Sequence, residues 1–139
     1  MNGNEICERI REFDLDTLKS SLSEAPEPES GPSKAELIEQ TIEWLTGLQD
    51  NLVGLIEKIG EGEDVEMALA IQYVELKSRW ISFNTQLNYE MFRSGQPSIE
   101  TMLRGTAIST FLAHIEPLLK PADIDQITEF LAQPLSSAA

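Results

Sequence analysis

Ile38, Leu45, Leu52 and Ile59 recur every seven residues, with Ile42, Leu48, Leu55 and Ile56 filling the intervals. Apolar residues at three-and-four spacing on a polar background predict one long amphipathic helix whose stripe packs against another helix. Ser33 followed by Glu36 reads as a capping box and sets its start, and Gly60 sets its end, because glycine takes the left-handed cap conformation cheaply. At 1.5 Å per residue this helix is about 35 Å long.

After a tight connection, Glu61-Gly62-Glu63-Asp64, a second long helix is predicted from about Asp64 to Arg93. Its main stripe is Val65, Leu69, Leu76, Trp80, Phe83, Leu87 and Met91, with Tyr73 beside it. A second stripe, Met67, Ile71, Val74, Ile81 and Phe92, lies on another face. Apolar positions on two faces place a helix centrally in a bundle, or share it between its own core and another chain. Ser94-Gly95 stops it. Pro97 and Ser98 start a third long helix, which must bend or end near Pro117 because proline lacks the amide donor. A short last helix begins at Lys120-Pro121-Ala122-Asp123, turns Ile124, Ile127, Phe130 and Leu131 inward, and stops before Pro134.

The N-terminal segment Glu5 to Leu22 carries Ile6, Ile10 and Phe13 on one helical face and Leu15, Leu18 and Leu22 on a second. The change of face falls at Asp14, a good N-cap, so two short helices are expected. At this length they are marginal alone and need a partner surface. Between them and the first long helix, SEAPEPESGPS (Ser23 to Ser33) holds three prolines and three glutamates and reads as an extended, solvated connection. The fold expected is therefore all-α: an antiparallel helical bundle of three long or medium helices with short N- and C-terminal helices. Residues 1–22 form a helical docking arm, 23–34 a linker, 35–134 the bundle and 135–139 a frayed tail.

Length and composition fit this picture. The 139 residues suffice for one domain, and 41% hydrophobic with 24% charged residues is ordinary for a globular chain. The charge is not ordinary: 24 acidic against 10 basic side chains leave a net charge of −14. That argues against a surface gripping nucleic-acid phosphate through spread positive charge, so no direct nucleic-acid partner is expected. Residues 35–66 hold nine acidic and one basic side chain, whereas 67–120 hold four and five. The acid is therefore concentrated on the first long helix and the loop after it, where it is either a solvated face or an electrostatic face for a basic partner. No apolar run is long enough for a membrane span, no signal-peptide pattern is visible, and a single cysteine forms no internal disulfide. A cytoplasmic protein without a membrane partner is expected.

Catalytic equipment is sparse. His114 is the one histidine, and no second histidine or nearby cysteine supports a metal cluster or a Cys-His dyad. Cys7 reads as a small hydrophobe under the N-terminal helix. Glu61, Glu63, Asp64 and Glu66 lack the alternating ligands and central glycine of a calcium loop. Phosphate loops, nucleophile elbows and zinc-helix motifs do not occur. We expect no catalytic residues, no cofactor and no metal. A small-residue face, Gly105, Ser109 and Ala113, predicts a tight helix crossing or a groove for a partner helix. Trp44, Tyr89 and Phe92 fall off the main stripes, as binding anchors commonly do.

These features point first to a non-catalytic, acidic protein–protein interaction module, an adaptor, inhibitor or chaperone-like binder, expected to be a homodimer. Its partner-binding residues are expected among Glu36, Glu39, Glu43, Trp44, Asp50, Ile71, Val74, Ile81, Tyr89 and Phe92. The alternative is a nucleic-acid mimic whose acids between residues 36 and 66 block the basic groove of a DNA- or RNA-handling protein. An enzyme or small-ligand carrier would need Thr41, Gln72, Thr106 and His114 to converge on a cavity, and ranks last.

Overall fold

The computed structural model describes residues 2–60 and 63–132, without the side chains of 63, 64 and 130–132. Asn2 caps helix α1 (Gly3–Arg11), its side chain accepting the Glu5 N–H at 2.9 Å. Asp14 opens α2 (Leu15–Leu22) by accepting both the N–H and the hydroxyl of Thr17, and those bonds hold its carboxyl below its usual range. Ser33 caps α3 (Lys34–Ile59) through the Glu36 N–H at 3.2 Å, and Gly60 closes it at φ 88°. Helix α4 (Glu63–Ser94) follows, then Gly95 at φ 78°, then α5 (Ile99–Ile115) behind its cap Ser98. Glu90 accepts the Ser98 N–H and so fastens the α4–α5 turn to itself. Pro117 ends α5 as expected, in a 3-10 turn at Glu116–Leu118 before α6 (Pro121–Ala132). The fold is thus an all-α helical bundle, and no strand occurs among the described residues. The expected inward turn of Phe130 and Leu131, the tail 135–139 and the connection at Glu61-Gly62 lie outside what is described.

Individual contacts give the directions. Cys7 meets Val53 and Ile10 meets Gln49, so α1 runs antiparallel to α3. His114 meets Arg9 and Phe111 meets Phe13, so α1 is antiparallel to α5 as well. Trp80, Leu87, Met102 and Thr110 line one cleft, Gly105 abuts Phe83, and α4 and α5 are therefore antiparallel. Lys120 meets Glu66, and Ile127 shares a cleft with Ile71 and Val74, so α6 runs alongside α4 in the same direction.

The core is continuous from end to end: Ile6, Ile10, Leu18, Leu22, Leu45, Ile56, Val65, Leu69, Leu103, Ile108, Phe111 and Ile115 are fully buried. Residues 1–22, expected as a docking arm, dock on the bundle itself and supply part of that core. Phe13, in the joint between α1 and α2, stacks edge-on against Phe111 at 5.3 Å. Gly3 lets α1 settle on the end of α3, where a Cβ would come within 2.2 Å of the Gly60 carbonyl oxygen. Arg11 pairs with Glu57 at 2.6 Å on the outside of the same joint. The linker is held too: Lys34 Nζ donates to the carbonyls of Ser23 and Ala25.

Candidate functional site

Helix α4 is about 48 Å long by its 32 residues, and its two faces have different fates. Along the first stripe Val65, Leu69, Tyr73 and Leu76 are buried, and Trp80, Phe83 and Leu87 are half-buried against α3 and α5. Met91, predicted on this stripe, is instead half exposed, because α4 outruns the cover near its C-terminal end. The second stripe stays in water. Ile71 is 47% exposed, Ile81 52% and Phe92 92%. Tyr89 is exposed beside them, while Met67 and Val74 are half-buried at the edge of α6. Beside α6 the stripe forms the floor of an apolar groove of about 510 Å³ lined by Met67, Ile71, Val74, Ser78 and Ile127. The expected anchors Ile71, Val74, Ile81, Tyr89 and Phe92 thus share one helix.

The acidic set behaves differently. Glu36, Glu39, Glu43 and Asp50 are all exposed along the outer side of α3, opposite the buried Leu37, Thr41, Leu45 and Leu52. They form a wet line and enclose nothing. Trp44 is not the free anchor expected from its position off the stripes. It packs edge-on against Phe83 at 5.8 Å, and the Arg104 guanidinium lies 5.4 Å over its ring. A cation over an indole face is attracted by the ring quadrupole, so Arg104 and Trp44 seal the α3–α4–α5 seam. The sequence signal missed here was Arg104, whose partner Glu100 sits one turn earlier.

The small-residue face divides. Gly105 is buried under Phe83, but Ser109 and Ala113 are exposed, and Ser109 lines a shallow cleft of about 220 Å³ with Trp80, Asn84 and Thr106. The close approach is therefore local to Gly105. A larger cleft, about 680 Å³, opens where the linker prolines Pro26, Pro28 and Pro32 face Leu37, Pro97 and Met102.

The polar candidates for chemistry are dispersed. Thr41 donates its hydroxyl to the Leu37 carbonyl of its own helix at 2.7 Å, and Thr106 lines the α4–α5 cleft. Gln72 is half-buried on α4. His114 donates through Nε2 to the Arg9 carbonyl at 2.6 Å and stacks edge-on against Phe13, so both its edge and its face hold α1. Cys7 is buried; burial and, secondarily, the Glu57 charge push its thiol above the usual range, which disfavours the reactive thiolate. Glu66 pairs with Lys120 at 2.5 Å, which lowers its carboxyl pKa. Among the described residues no group of three or more His, Cys, Asp or Glu side chains is arranged to hold a metal. No helix among them is long and apolar enough to cross a membrane.

Taken together, the molecule is an acidic helical bundle with one helix face left apolar and open. Comparison with protein-family models, curated proteins and solved structures finds no match to this chain.

Proposed function

We propose that this chain is a non-catalytic protein–protein interaction module, of the adaptor, inhibitor or chaperone-like kind, that works as a homodimer in the cytoplasm and binds through the outer face of α4. The observation carrying this reading is the run of exposed Ile71, Ile81 and Phe92 along one helix face, continuous with an apolar groove. Large apolar side chains in contiguous exposure mark interaction sites, because water penalises them until a partner covers them. The cytoplasmic setting rests on the sequence, with its single, buried cysteine.

The nucleic-acid-mimic reading has less support on charge density. Glu36, Glu39, Glu43, Asp50 and Glu57 place five carboxylates over roughly 32 Å of helix. A duplex of that length carries about 19 phosphate charges, at one per ~1.7 Å. One of the five, Glu57, is already paired with Arg11.

A photo-crosslinking residue placed at Ile81, and separately at Asp50, tests the choice in the native cell. The expected outcome is an adduct at Ile81 with a protein identified by mass spectrometry, another copy of the chain included. Adducts at Asp50 with a nucleic-acid-handling protein, and none at Ile81, would overturn the reading in favour of the mimic.

A further inference from the structure

The exposed stripe of α4 has a symmetry that its apolar members alone do not reveal. Met67, Ile71, Val74, Ser78, Ile81, Thr85, Asn88 and Phe92 follow strict alternating steps of four and three, the seam pattern of a coiled coil. Every one of these positions is exposed or half-buried, and among the described residues only α6 touches the seam, at the edge of Met67 and Val74. The spacing of the seam, though not its residues, is the same in both directions. Turned about an axis between Arg79 and Trp80, Met67 faces Phe92, Ile71 faces Asn88, Val74 faces Thr85 and Ser78 faces Ile81.

We infer that a second copy of this chain occupies the seam, with the two α4 helices antiparallel about that axis and Phe92 of each copy inserted beside α6 of the other. The inference rests on the interaction-module reading above and gives it a geometry.

Three observations select this occupant and orientation. Helix α6 stands only beside the N-terminal half of the stripe, where Gln126 and Ile127 wall a groove over Met67, Ile71, Val74 and Ser78. Antiparallel pairing carries Ile81, Thr85, Asn88 and Phe92 of the second copy along that groove, so the most exposed side chain in the stripe meets the apolar hollow. Parallel pairing would set Phe92 against Phe92, away from the groove. Second, the middle of the seam lets the helices approach: Ile81 opposes the small Ser78, and Val74 opposes the similarly shaped Thr85, which suits close packing. Third, charge permits it. Residues 67–94 carry Lys77, Arg79 and Arg93 against Glu75 and Glu90, close to neutral in a chain of net charge −14. Two such acidic molecules repel least where these faces meet. Glu75 comes level with Ser82 and Asn84 of the second copy, and Lys77 with Ser82, so these charges meet neutral polar residues. The seven-residue repeat drifts by about 20° per heptad on a straight helix, so the pair wraps left-handed.

The full-length chain is tested in two ways. Sedimentation equilibrium across the micromolar range should give a dimer, and Phe92→Ser should weaken it on the order of tenfold or more, as loss of an aromatic anchor seated in a groove does. Phe92 supports no part of the fold, so the helical circular dichroism of the variant should be unchanged. Variants I71C and N88C, each adding one exposed cysteine to the buried Cys7, then fix the orientation. Mixed and mildly oxidised, they should form a disulfide joining position 71 of one copy to position 88 of the other. Neither should do so alone, since like positions lie about 26 Å apart along the axis. A monomer throughout, or I71C crosslinking to itself, overturns the inference. If the chain is monomeric yet Ile81 photo-crosslinks to a different protein, the pairing geometry and the homodimer are wrong, and binding of a different protein through the outer face of α4 stands.

Discussion

The N-terminal helices and the outer face of α4 look alike as patterns, apolar residues at helical spacing, and end in opposite states. Ile6, Ile10, Leu18 and Leu22 are completely covered, whereas Ile71, Ile81 and Phe92 remain in contact with water. The difference lies in what else holds each segment down. Helix α1 is fixed by Gln49 donating to the Ile10 carbonyl, His114 donating to the Arg9 carbonyl, Phe13 wedged against Phe111, and Arg11 paired with Glu57. These specific ties fix the register in which the apolar face is buried. Among the described residues, the hydroxyls on the outer face of α4 make no comparable ties. Its serines and threonines spend their hydroxyls on carbonyls one turn back in the same helix, Ser78 on Val74, Ser82 on Ser78 and Thr85 on Ile81. A helix face whose hydroxyls are satisfied within the helix has no polar demand of its own to meet, which suits docking from outside.

The largest test of this contrast uses one substitution at two places. Ile10→Ala should cost about 2–5 kcal/mol of folding stability by denaturant unfolding, because a fully buried isoleucine leaves a cavity. In dilute solution, where self-association is absent, Ile81→Ala should stay within about 0.5 kcal/mol of the parent. Equal effects would mean that α4 is covered by the chain's own folded state.

A smaller effect is expected at Gln49. Its amide donates to Ile10 at 2.8 Å inside the core, and the Phe13 N–H serves the same carbonyl. Gln49→Ala should therefore cost about 1 kcal/mol, the net worth of one hydrogen bond, since the acceptor keeps a partner. Hydrogen exchange should show the loss confined to α1, and uniform loosening of the bundle would contradict its role as an α1 tie.

The smallest effect is a gain. A side chain at Gly54 meets open space on the outside of α3, so Gly54→Ala should stabilise by about 0.5–1 kcal/mol through helix propensity. Gly3→Ala should do the reverse, because its Cβ collides with the Gly60 carbonyl and pushes α1 off the end of α3. Thermal melts of the two variants should move in opposite directions from the parent.

Much of the fold was legible in the chain. Helix ends are written in local chemistry, and Asp14, Ser33, Gly60, Ser98 and Pro117 act within a turn of themselves, so their positions could be read off. The two stripes of α4 were legible for the same reason. Trp44 was misjudged because its environment is built by Phe83 and Arg104, which come from helices distant in sequence. The small-residue face likewise promised one long crossing and delivered contact at Gly105 alone, since helices that diverge leave their ends apart.

Sequence alone determined the number of helices, their limits and the apolar faces they carry, because caps, breakers and periodicity act over a few residues. Only the tertiary structure decided which of those faces would be covered. Burial depends on which helix arrives opposite, and α6, laid beside the first half of α4, left the rest of that stripe open.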